Sequence, residues 1–176
     1  MESTTMVTLD RKQYSWDGTK WYGKDDYMIP PLAIIARLHA VIEAQVAAED
    51  AAISDQFELF DRAKKAVAVG QLKRAEELAR KAYNQDPLNS GRAAAFCSIL
   101  RQIECPKKAL AIADLHKNSD YAPILTSRSG ALCDLGRWED ALRQINQVLA
   151  KKGSDEPALL VYGRIKSYAP HLFEES

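Results

Sequence analysis

Side chains able to do covalent or metal chemistry are few in this chain and far apart. His39, His116 and His171 are widely separated, and no HExxH, CxxC, GxSxG or phosphate-cradling glycine loop occurs. His39 lies beside apolar positions of a helical pattern, where a packed or surface imidazole is expected rather than a metal ligand. Cys97 would act as a nucleophile only with a base beside it; as a small residue in a helical pattern it reads as a core thiol. Three cysteines are an odd number, with Cys97 and Cys133 in helical patterns and Cys105 beside a turn, so reduced thiols are expected. No catalytic residue, metal or cofactor is expected, and the chain reads as a non-enzyme.

Recognition chemistry is better represented. The stretch Tyr14-Ser15-Trp16-Asp17-Gly18-Thr19-Lys20-Trp21-Tyr22 carries Asp-Gly between alternating residues, a two-residue hairpin signal. A type I′ turn at Asp17-Gly18 would set Tyr14 opposite Trp21 and Trp16 opposite Thr19, giving an aromatic face of Tyr14, Trp16 and Trp21. Val7-Thr8-Leu9 could add a third strand. An isolated hairpin is marginal in water, so this face needs cover. The expected cover is the next helix, opened by Pro30-Pro31, with Leu32, Ile35, Leu38, Ile42 and Val46 as its apolar stripe and Ile34 and Val41 widening it. A rival reading takes the same aromatics as a ligand platform, since Trp16-Asp17-Gly18 and Trp21-Tyr22 resemble one unit of cell-wall sugar-binding repeats.

Net charge is zero but uneven. Residues 1 to 60 carry 5 Lys/Arg against 10 Asp/Glu, 61 to 110 carry 11 against 5, and 111 to 176 carry 8 against 9. The basic middle, with Lys73, Arg74, Arg80 and Lys81 on one helix, suits a solvated outer face. It could also steer an acidic protein segment, whereas the lack of interleaved aromatics argues against nucleic acid.

The elements that position these groups repeat. Leu59, Ala93, Leu125 and Leu159 fall 34, 32 and 34 residues apart, and Ala63, Cys97, Ser129 and Gly163 share those spacings. Ala75, Ala109 and Ala141 form a third series. Gly70-Gln71-Leu72 and Gly136-Arg137-Trp138 mark equivalent turns, and Asp86-Pro87 stops the first unit. A helix-turn-helix unit of this length, with a small residue in each helix, resembles the tetratricopeptide repeat. The middle unit departs from that pattern, having Glu104 for glycine, His116 for a small residue and a turn two residues short around Asn118-Ser119-Asp120. Val148 departs in the third.

The resemblance, over residues 56 to 169, implies a mainly α right-handed solenoid of about three repeats with a C-terminal capping helix, preceded by the small N-terminal β-hairpin read from its turn signal. Residues 1-55 would form the hairpin and a capping helix, 56-89, 90-121 and 122-155 three repeats, 156-169 a closing helix and 170-176 a tail whose Phe173 could dock back. Length and composition suit one compact soluble domain, with no export signal or membrane-length apolar run and the cytoplasm as default.

First helices of such repeats line a groove. In that register the groove residues are Phe57, Phe60, Lys64 and Val67; Ala94, Ser98 and Arg101; Thr126, Gly130 and Cys133; and Leu160, Arg164 and Ser167. The implied role is an adaptor or scaffold binding an apolar, acidic segment of another protein. The paired lysine and asparagine set by which some members clamp a terminal carboxylate is missing. The alternatives are a structural subunit whose groove is filled by its own N-terminal segment, or sugar or nucleic-acid binding.

Overall fold

Inward Val7 and Leu9 alternate with outward Met6 and Thr8, which makes Thr5–Leu9 a strand (β1) with one face in a core. The computed structural model describes residues 5–17, 19–24 and 28–174. Length alone suits one domain, yet the chain divides into two units, Met1–Ile53 and Ser54–Ser176.

In the first unit β1, β2 (Lys12–Trp16) and β3 (Trp21–Gly23) form an antiparallel sheet in that order, followed by helix α1 (Leu32–Ala52). The two-residue turn with positive φ at both central positions is Asp10-Arg11, at 51° and 65°, between paired Leu9 and Lys12. Arg37 on α1 holds it through two bonds to the Asp10 carboxylate, of 2.7 and 3.0 Å.

The expected turn at Asp17-Gly18 is corrected. Trp16 pairs with Trp21, not with Thr19, and Tyr14 pairs with Gly23, not with Trp21, so four residues make the connection. Asp17 lacks positive φ, and Gly18 lies outside the described residues. The physical reason is the Asp17 carboxylate, which accepts from the Lys20 amide at 2.6 Å, the Thr19 amide at 2.7 Å and the Thr19 hydroxyl at 2.8 Å. A wider loop that satisfies its own amides prevails over the tighter turn. Those bonds, from Lys20 and then Thr19, pull the Asp17 carboxyl down to about 2.

The register puts both indoles on one face, 5.4 Å apart. Val7, Trp21 and Leu38 are the buried centre, with Leu9, Tyr14, Trp16, Ile34, Ile35, Val41 and Ile42 around them, so α1 covers the aromatic face. Leu32 is corrected out of the stripe at 83% exposure. A five-residue strand spans about 17 Å and cannot cover a 21-residue helix of about 32 Å.

In the second unit the helices are α2 (Gln56–Ala68), α3 (Leu72–Asn84), α4 (Ser90–Gln102), α5 (Pro106–Leu115), α6 (Ala122–Asp134), α7 (Trp138–Lys151) and α8 (Glu156–Tyr168). Three of them start on side-chain caps: Asp55 accepts from Phe57, Asn89 from Gly91 and Arg92, and Asp155 from Ala158. Proline opens α5, α6 and α8.

Each pair turns through one motif. Gly70 donates to the Val67 carbonyl and Gln71 to Ala66; Glu104 to Arg101 and Cys105 to Leu100; Gly136 to Cys133 and Arg137 to Leu132. This is the Schellman closure, which needs a left-handed residue at its centre. Gly70, Glu104 and Gly136 supply it at φ 75°, 59° and 73°.

Above the turns the pairs cross on small residues. Ala63 and Ala75, Cys97 and Ala109, and Ser129 and Ala141 are all fully buried. The Cys97 thiol donates to the Ala109 carbonyl at 3.2 Å, and the Ser129 hydroxyl to the Ala141 carbonyl at 2.8 Å. His116 replaces a small residue without loss of order. Its Nε2 donates to the Pro87 carbonyl at 3.1 Å and its Nδ1 takes the Ser90 hydroxyl at 3.2 Å, while Ser90 meets Ser119 at 3.0 Å. One imidazole thus ties the α3–α4 linker, the start of α4 and the shortened α5–α6 turn together.

The outer positions of this unit's two end helices are more polar than the matching positions of the helices between them. Phe96, Ile99 and Ile103 of α4 are buried, but their counterparts on α2 are Arg62, Lys65 and Val69, of which Arg62 pairs with Glu58 and Lys65 with Asp61. On α8, exposed Lys166 replaces buried Ala66, Leu100 and Leu132, and Gly163 faces open space. The tail docks back, with Phe173 edge-on to Tyr162 at 5.4 Å.

Candidate functional site

First helices contact one another in succession, α2 with α4, α4 with α6 and α6 with α8, and each second helix also contacts the first helix after it. The first helices therefore form one continuous layer. Phe57 and Leu160, on the first and last of them, are 74% and 70% exposed. Phe60 and Val67 are half-buried, Lys64, Ser98 and Ser167 are exposed, and Ala94, Thr126, Gly130 and Cys133 are buried.

At the α4–α6–α8 stretch of this layer three charges meet. Arg101 Nε donates to Asp134 Oδ2 at 2.6 Å, and Arg164 Nη1 to Asp134 Oδ1 at 2.5 Å. The site gathers Arg101, Gly130 and Arg164 and adds Asp134, which sequence reasoning missed. Gly130 makes the arrangement possible, because a Cβ there would lie 2.2 Å from Arg101 Nη1 and 2.4 Å from its Cζ. Arg164 is steadied on its other side by Trp138, whose ring centre is 5.9 Å from the guanidinium carbon and which stacks on Tyr168 at 5.7 Å.

Burial disfavours ionisation of the Asp134 carboxyl, yet the bonds from Arg101 and Arg164 outweigh it and hold it below the usual carboxylate range. Asp134 closes α6, where a negative charge opposes the helix dipole, so the arginines also compensate its position. A signal existed in the sequence: Asp134 follows the groove residue Cys133 by one position. The Cys133 thiol, nearby, is raised by burial.

The hairpin aromatics belong to the first unit. Trp21 is 1% exposed, donates weakly from its indole to His39 Nε2 at 3.4 Å, and is a core residue rather than an open stacking surface. Among the described residues no group of three or more His, Cys, Asp or Glu could hold a metal ion, and no helix is long and apolar enough to cross a membrane. On α3, Arg80 pairs with Glu76, which also pairs with Lys108 of α5.

Helix pairs of 32 to 34 residues, turned by one motif and stacked with first helices in one layer, define an all-α helical-repeat solenoid closed by a single helix. That solenoid has the tetratricopeptide-repeat fold. It is similar to the first TPR domain of human RPAP3, with 17% identity over 69% of this chain and 97% of that one and a TM-score of 0.56. The Sgt2 TPR domain from Aspergillus fumigatus matches with 15% identity, 69% and 83% coverage and a TM-score of 0.58. The second TPR domain of human RPAP3, solved in complex with the HSP70 peptide SGPTIEEVD, matches with 21% identity, 60% and 90% coverage and a TM-score of 0.51. No protein-family model and no curated protein matches the chain.

Proposed function

We propose that the chain is a non-catalytic protein-interaction adaptor that binds a segment of another protein along its layer of first helices. The contact row comprises Phe57, Phe60, Lys64 and Val67, then Ala94, Ser98 and Arg101, then Thr126, then Leu160 and Arg164. One observation carries this: large apolar side chains, Phe57 and Leu160, stay exposed on the first and last helices of a layer that also carries Arg101 on α4 and Arg164 on α8. A solved neighbour in complex with the HSP70 peptide SGPTIEEVD supports a protein segment bearing acidic residues as the ligand.

Lys64, exposed on α2, adds attraction to that of Arg101 and Arg164 and speeds encounter. The test begins with recovery of the native complex through the tagged full chain. The affinity of the recovered partner is then measured for Phe57→Ala/Leu160→Ala, Lys64→Glu and, as the second-helix control, Lys73→Glu/Arg80→Glu. The apolar double variant should weaken binding most, and Lys64→Glu should lower the association rate and flatten its salt dependence. Losses confined to the Lys73/Arg80 pair would move the binding face to the second helices.

A further inference from the structure

We propose that Arg101 and Arg164 form a site for a single carboxylate of the bound segment, and that Asp134 is the resident counter-ion that makes this site select one negative charge over two. The inference rests on the reading of the first-helix layer as the binding face, and it names the group recognised there. Arg101 spends Nε on Asp134 and Arg164 spends Nη1, which leaves the Nη1 and Nη2 groups of Arg101 and the Nε and Nη2 groups of Arg164 without a bond to Asp134. The side chains are 26% and 38% exposed, so solvent reaches them. Both guanidinium groups are held before any ligand arrives, Arg101 seated over Gly130 and Arg164 between Asp134 and Trp138. Donors fixed in advance lose little freedom on binding, and a planar fork suits a carboxylate.

Selectivity follows from how two energies scale. Attraction between a ligand and the site grows in proportion to the ligand's charge, whereas the cost of stripping its water grows as the square of that charge. Two arginines and one aspartate leave a local charge of one positive unit. At that modest potential the extra attraction felt by a dianion is smaller than its extra desolvation cost, so a carboxylate is preferred to a phosphate. Without the Asp134 charge the potential doubles and the order reverses.

The experiment uses the full chain, titrated with benzoate and separately with phenyl phosphate at about pH 8, where the phosphate is a dianion. It follows the Nε–H signals of Arg101 and Arg164 and the Gly130 amide by NMR. Both arginine signals should move with benzoate, and phenyl phosphate should bind no more tightly. Asp134→Asn should shift the preference several-fold towards phenyl phosphate. Gly130→Ala, which leaves every charge in place but displaces the Arg101 guanidinium, should weaken both anions. Tighter phenyl phosphate binding by the unaltered protein overturns the proposal, as does an unchanged preference in Asp134→Asn or full benzoate binding by Gly130→Ala. If neither anion moves either signal, the three charges are only a staple between helices. That result would leave the adaptor reading standing, because it is tested through Phe57 and Leu160; conversely, a partner insensitive to those two residues would sink the adaptor reading whatever the anions do.

Discussion

The second and third repeats reach one geometry by different chemistry. The third follows its pattern, with Gly136 in the left-handed turn, Ser129 at the crossing and a regular link onward. The second has Glu104, Cys97 and a shortened link, yet its turn makes the same two closing bonds and its crossing is equally buried. Packing of neighbours on both sides holds Glu104 at φ 59°, a conformation that costs a residue with a Cβ about 1–2 kcal/mol. In an array each unit contacts only the next, so a strained unit survives where its neighbours supply the interfaces.

The comparison breaks most directly at the crossings. Ala109→Leu and Ala141→Leu should each cost about 1–3 kcal/mol in chemical denaturation, because neither site has space for added volume. Glu139→Leu, exposed in the same helix as Ala141, should cost little; the reverse ranking would mean the helices cross elsewhere. His116→Ala should follow at roughly 1–3 kcal/mol, since it strips bonds from Pro87 and Ser90 and leaves a void. If instead it proves neutral, the shortened link holds itself and the imidazole is incidental.

The turns sharpen the comparison with smaller effects of opposite sign. Glu104→Gly should raise stability by up to about 1 kcal/mol, and Gly136→Ala should lower it by a similar amount, because only glycine adopts positive φ freely. Equal and opposite shifts in thermal melting would show that the two turns differ in strain alone.

The helical repeat was legible because three residue series share one spacing, and spacing in sequence becomes contact in a stack of identical units. The middle turn could not be read from its residues, since the left-handed state of Glu104 is imposed by its surroundings. The hairpin register failed for a related reason. Asp17-Gly18 signals a tight turn locally, but which aromatics pair was decided by the Asp17 carboxylate and by the helix that needed Trp16 and Trp21 on one face. In the candidate site the arginines were legible from register. Their engagement by Asp134 was not, because an ion pair across three helices depends on how those helices are rotated.

The finest difference between the repeats is the atom at the crossing, a thiol in the second and a hydroxyl in the third. Cys97→Ser makes the second like the third and, near neutral pH, should change stability by less than about 1 kcal/mol, because both groups donate to an alanine carbonyl. The contrast appears in alkali. Burial pushes the Cys97 thiol from 9.0 up to about 12, so the folded state keeps its proton where the unfolded chain would lose it. A raised acid favours the folded state below the unfolded value and surrenders that advantage as pH climbs towards the folded one. Stability should therefore fall between pH 9 and about 12 in the unaltered protein by more than in Cys97→Ser. Subtracting the two denaturation series cancels the tyrosines and lysines that also titrate there. Parallel series would mean that the Cys97 thiolate is tolerated at the crossing, and that the α4–α5 interface opens to water as the α6–α7 interface does not.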